Sequence, residues 1–154
     1  MQRSLLRKLA GLSRTEWVDL LQAQAALIWA QLLVWTRPTG KLIDSSATET
    51  AAPSDASASP ATLNPRAYQL ALAIGRAAEH GVFRPLCLVR AVALKRLLEA
   101  RDIHGSRIRI GVRRVGGRFT AHAWVEHGNV VLGDLDEHVN RFAQLADVRL
   151  IDPR

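Results

Sequence analysis

The sequence predicts an α+β fold, with helices first and a small antiparallel sheet after them. Three observations predict it. Apolar residues recur at helical spacing as far as about residue 100, and the period drops to two from Arg107 onward. Gly116-Gly117 then separates two alternating stretches as a hairpin turn would. A chain of 154 residues suits one compact domain with an appended helical piece, and 48% hydrophobic with 23% charged residues is an ordinary globular composition.

Ser13-Arg14-Thr15-Glu16 offers cap-type residues and an early acidic group. From Trp17 to Trp35 the residues are good helix formers, and nothing breaks the run before Pro38. The run approaches the length of a membrane span, but Asp19, Gln22, Gln24 and Gln31 interrupt it. A buried or groove-lining helix is therefore expected, with its tryptophans as packing groups and no membrane contact. The opening Met1–Ala10 is basic and lacks the apolar core and cleavage site of a signal peptide. Residues 44–65 are small and polar with three prolines, too poor in apolar surface to offset the entropy of ordering. The expected organisation is an N-terminal helical segment at 1–43, a flexible linker at 44–65 and a core at 66–154.

Tyr68, Leu70, Ala71, Ile74 and Ala77 predict a helix from Arg66 to about Glu79, with Gly81 as its stop. A further helix runs from Arg84 to about Ala100. Pro85 opens it, Leu88, Ala91, Val92, Leu94, Leu97 and Leu98 give it one core face, and Arg90, Lys95, Arg96 and Glu99 fall elsewhere. Ile108, Ile110 and Val112 alternate with arginines as a first strand, and Phe119–Glu126 returns as a second. His127-Gly128-Asn129 reads as a turn and Val130–Asp134 as a third strand, whereas Asn140–Leu150 is too short and mixed to assign.

Cys87, the single cysteine, falls in the first turn of its helix, where unpaired N–H groups and the helix dipole favour an anion. The thiolate is the attacking form of cysteine, although a lone helical cysteine also serves as a small buried hydrophobe. One cysteine excludes an internal disulfide and an all-cysteine metal site, and it suits a reducing cytosol. If residues 127–129 form a three-residue loop, Glu126 faces Val130 and His122 lies across from Asp134 on the same face. A carboxylate holding one imidazole nitrogen while the other serves a nucleophile is the logic of a catalytic triad. Asp136 is the fallback carboxylate. Cys87, His122 and Asp134 match no standard zinc spacing, so neither a metal nor another cofactor is expected. The net charge is +7, and much of the excess lies between Arg101 and Arg118. Such a patch suits an acidic peptide or partner protein. No nucleic-acid motif accompanies it, and no nucleic-acid partner is expected.

Cys87-Leu88-Val89-Arg90-Ala91, a Gly-containing turn, the Ile110-Gly111-Val112-Arg113 strand, Ala121-His122-Ala123-Trp124-Val125-Glu126 and Gly133-Asp134 together resemble a known family. They are similar to the transglutaminase-like cysteine peptidases of lasso-peptide biosynthesis, the protease half of the lasso B protein. The resemblance covers about residues 66–140. It implies a transglutaminase-like, papain-like core with the catalytic cysteine at a helix N-terminus against a small antiparallel sheet. It further implies a Cys87 nucleophile, a His122 general base, an Asp134 orienting carboxylate and a cytoplasmic leader peptidase. Residues 1–65 show no strand alternation, so the resemblance points to the split form. In that form a separate leader-recognition protein delivers the precursor leader peptide, and a macrolactam synthetase takes the product. The competing readings are a transglutaminase-like acyl transferase or amidase, and a non-catalytic basic adaptor that binds peptides.

Overall fold

The computed structural model describes residues 13–36 and 64–148; both chain ends and residues 37–63, which hold most of the linker expected at 44–65, lie outside them. The elements are α1 (Arg14–Thr36), α2 (Pro65–His80), α3 (Cys87–Glu99), β1 (Ser106–Val115), β2 (Arg118–His127), β3 (Val130–Leu132), α4 (Asp136–Val139) and β4 (Ala143–Val148). The fold is α+β: three long helices cover one face of a four-stranded sheet of order β3-β2-β1-β4. Every pairing in the sheet is antiparallel.

The helices start where local chemistry starts them. At α1 the Ser13 hydroxyl accepts from Glu16 N at 3.3 Å, and Ser13 N donates back to Glu16 Oε2 at 2.8 Å, a reciprocal capping box. That backbone N–H, with the Ser13 hydroxyl, holds the Glu16 carboxyl below its ordinary value of 4.5. At α2 the Asn64 side chain accepts from Arg66 N at 2.9 Å and Ala67 N at 3.3 Å, and Pro65 occupies the first turn. Asn64 and Pro65, assigned to the linker from sequence, thus belong to the helix start. Gly81 does stop α2, but at φ −78°, in extended rather than left-handed backbone.

α3 is the centre of the molecule, touching α1, α2, β1 and β2. Ala91, Val92, Ala93 and Leu94 are buried in succession, as are Val89, Leu97 and Leu98. The single core face expected from sequence is therefore corrected to burial on nearly all sides. Its charged groups sit at the rim, where Lys95 Nζ reaches Glu99 Oε1 at 2.6 Å and the Ser106 carbonyl at 3.2 Å.

α1 contributes Ala23, Leu27 and Ala30 to the shared core, small residues that let it approach its neighbours closely. Asp19, 6% exposed, receives two hydrogen bonds from Arg66 at 2.5 and 2.6 Å, and Arg101 lies 3.6 Å away. This pair clamps α1 to α2. The tryptophans do not fill the core as expected. Trp17, Trp29 and Trp35 lie on the opposite, exposed side, because the inward positions carry the alanines.

The first hairpin has the expected two-residue turn, with Gly116 at φ 56° and Gly117 at φ 84°, the positive angles that a tight turn of this twist requires. The second differs. His127 pairs with Val130, so the loop is Gly128-Asn129 alone and the register is one residue off the expected one. β3 also ends at Leu132 instead of Asp134. The unassigned C-terminal stretch holds β4, which adds to the outer edge of β1 with a register shift at Ile110/Gly111. Its sequence, Ala-Gln-Leu-Ala-Asp-Val, alternates too weakly to announce a strand. Ile108, Ala123, Val125 and Leu132 point to the helices, whereas Trp124, Val139 and Phe142 form a second small cluster on the other face.

Replacing Asn64 by alanine removes the acceptor for two N–H groups and is expected to cost about 1 kcal/mol of stability. Urea unfolding checks this as a lower midpoint at unchanged slope. Because Glu16 titrates below 4.5 when folded, its stabilisation is present above that value and is lost as pH falls through the lower folded value. The Glu16→Gln variant should therefore show a flatter decline in melting temperature below about pH 4.5.

Candidate active site

Cys87 is the first residue of α3, capped by Leu86 in extended backbone. Pro85 precedes the cap, so it ends the incoming loop and does not open the first turn as expected. The first intrahelical hydrogen bond runs from Arg90 N to the Leu86 carbonyl at 3.1 Å. The N–H groups of Cys87, Leu88 and Val89 are thereby left at the open, positive end of the helix. The thiol is partly buried. Arg90, one turn on, adds positive charge to the same cleft.

His122 and Asp134 complete that cleft, a narrow cavity of about 40 Å³ between α2, α3 and the edge of β2 where β3 has ended. His122 Nε2 lies 2.5 Å from Asp134 Oδ2, and the two side chains are only 17% and 19% exposed. The pair forms by a different route from the one expected. In the observed register a continued β3 would set Asp134 opposite Ala123. Instead the chain leaves the strand at Gly133, whose φ of 76° is a conformation that side chains other than glycine rarely adopt, and Asp134 swings back to the imidazole. Leu135 N donates to Asp134 Oδ1 at 2.8 Å and holds the carboxylate in place. Asp136, the fallback carboxylate, opens α4 and is exposed.

Aromatic groups that the sequence reading missed hold the imidazole. The His138 ring stacks on His122 at 4.9 Å and 4°, Phe142 tilts against it at 5.2 Å, and Trp124 lies at 6.1 Å. Trp124 is itself tied through Nε1 to Glu126 at 2.9 Å, and Glu126 accepts from Arg109 Nε at 2.8 Å. Gly111, the β1 partner of His122, makes the cluster possible: a Cβ there would come within 2.8 Å of Phe142 and 2.9 Å of Trp124. The only sequence trace of His138 is its spacing of four from Asp134; nothing announced Phe142.

His122, Asp134 and His138 turn ligand-type atoms to within 4.8 Å of one another. Two ligands on one zinc ion stand about 3.3 Å apart. The 2.5 Å contact between His122 and Asp134 is shorter than that, and the His122 and His138 rings are parallel instead of converging. The spacing is that of a hydrogen bond between imidazole and carboxylate.

A thiol on α3, an imidazole on β2 and a carboxylate on the loop after β3 meet at one cleft, an arrangement suited to thiol-based acyl chemistry. The chain belongs to the transglutaminase-like superfamily, whose family model matches residues 26–147. That match takes in the second half of α1 as well as the sheet. Comparison with curated proteins and with solved structures finds no significant match.

Gly133→Ala forces a side chain into left-handed backbone at about 1–2 kcal/mol. Straightening the chain there withdraws Asp134 from His122. Gly111→Ala displaces Phe142 and Trp124. Both variants should stay folded by circular dichroism yet alkylate more slowly at Cys87 near neutral pH than the parent protein, as followed by intact mass.

Proposed function

We propose that this protein is a cytoplasmic cysteine endopeptidase that removes the leader from a lasso-peptide precursor, working with a separate leader-recognition protein. The observation that carries the reading is the His122–Asp134 contact of 2.5 Å in the cleft that also holds Cys87. Asp134 occupies Nε2, so Nδ1 is the nitrogen available to take the thiol proton. The Cys87 thiolate attacks the scissile carbonyl, and the resulting oxyanion faces the N–H groups at the start of α3, Cys87 N first among them. His122 then gives its proton to the leaving amine. Water, deprotonated by His122, hydrolyses the thioester and restores the thiol. The freed core amine passes to the macrolactam synthetase. The narrowness of the cleft supports a peptide lying across its mouth, which suits an extended leader junction held in place by a partner.

The geometry serves acyl transfer to an amine equally well, since only the final acceptor differs. Hydrolysis and transfer separate by product mass when a primary amine is supplied with the peptide. A precursor with threonine just before the last leader residue, the cue the family resemblance implies, is the substrate to use with the recognition protein present.

Cys87→Ala and His122→Ala should each lower cleavage by at least about 10³-fold, and Asp134→Asn by about 10²-fold or more. Circular dichroism should be unchanged in all three. Parent-level turnover by Cys87→Ala refutes the mechanism. A Cys87 that alkylates only after denaturation, with or without the recognition protein, assigns the chain to the adaptor reading.

A further inference from the structure

α1 is apolar on two opposite faces, and the fold uses one of them. Asp19, Ala23, Leu27 and Ala30 face the core. On the other side Val18, Leu21, Ala25, Ile28, Leu32 and Trp35 are all exposed, and they recur at alternating steps of three and four residues. That is the heptad spacing of a seam that receives the side chains of another helix. Seven large apolar side chains along this face, including Trp17 and Trp29, are 38–75% exposed. They leave on the order of 800 Å² of side chain in water, the area one partner contributes to a standard stable interface. Scattered exposed leucines are ordinary; a continuous stripe over five turns of one helix is a docking surface.

Side-chain size favours a second copy of α1 as the occupant. If two copies of α1 lie antiparallel, Ala25 meets Ile28, Val18 meets Trp35 and Leu21 meets Leu32, each small residue facing a large one across the two-fold axis. A parallel pair would set Trp35 on Trp35 and leave a gap between two alanines. The α1 positions flanking the seam, Thr15, Trp17, Gln22, Gln24, Trp29, Gln31 and Thr36, carry no charge of their own; Arg96 over the Trp29 ring at 5.4 Å and Arg101 on Gln22 lie at the rim, where solvent screens them. The helix also has the length and a mean hydropathy of 1.3 that a membrane span would need. A span would have to strip its inner face from α2 and α3 and break Asp19 from Arg66.

We propose that the outer face of α1 is a homodimer interface in which two copies pack their helices antiparallel, with the axis passing between Ala25 and Ile28. Such a contact is isologous, the same patch serving both subunits. Sedimentation of the full chain over a wide concentration range tests it. The expected result is a species of twice the 17.0 kDa chain mass. Leu21→Glu and Ile28→Glu should each weaken dimerisation by at least about 100-fold, with helix content unchanged, because neither side chain is in the core. The orientation is read by oxidation in a Cys87→Ser background. An equimolar mixture of Val18→Cys and Trp35→Cys chains should cross-link, while Val18→Cys alone should not. A parent chain that stays monomeric at every concentration overturns the proposal. So does a dimer indifferent to both glutamate substitutions. A monomer that cosediments with phosphatidylcholine–phosphatidylglycerol vesicles, and loses that binding in Leu21→Glu, assigns the face to a membrane surface instead.

Discussion

The contact between His122 and Asp134 depends on a strand that stops early. β3 contributes three residues to the sheet, enough to bury Leu132 beside Val125, and then Gly133 turns the chain in left-handed backbone. Had β3 continued to Asp134, its carboxylate would stand opposite Ala123 and point to the face away from the imidazole. The early ending also uncovers the edge of β2, and the cleft containing Cys87 opens there. One backbone angle therefore governs the position of the Asp134 carboxylate and lies beside the mouth of the cleft.

The thiol is positioned from the other side by burial. α3 packs on α1, α2, β1 and β2 and has apolar groups on nearly all of its circumference. Packing on so many sides fixes the start of α3, and with it Cys87, at the cleft. The imidazole is held with similar economy, its ring lying between His138, Phe142 and Trp124. That packing is possible only because Gly111 has no side chain to occupy the same space. The site is thus assembled from the two cores of the molecule, one on each face of the sheet.

Much of this was legible in the residues. The change of period near residue 106 and the Gly116-Gly117 turn are local features found within a residue or two of their expected places, and the helix expected from Arg84 begins three residues later, at Cys87. The pairing of His122 with Asp134 was also anticipated, but by an incorrect route. His127-Gly128-Asn129 suggests a three-residue loop where two residues suffice, and the one-residue difference in register is offset by the end of β3 at Leu132. His138, Phe142 and Gly111 left almost no trace, because their importance lies in contacts between residues distant in sequence. The tryptophans of α1 were misplaced for a related reason: when both faces of a helix are apolar, periodicity does not say which one the core receives.

The sequence by itself determined the order of the three long helices and the first three strands, the Ser13–Glu16 cap and the first hairpin, since each rests on backbone preferences acting over a few neighbours. Tertiary structure alone decided where β3 ends, which side of α1 is buried, that β4 joins the far edge of β1, and which rings enclose His122. Those outcomes are settled by competition for the same space among segments far apart in the chain, and no local pattern encodes the result of that competition.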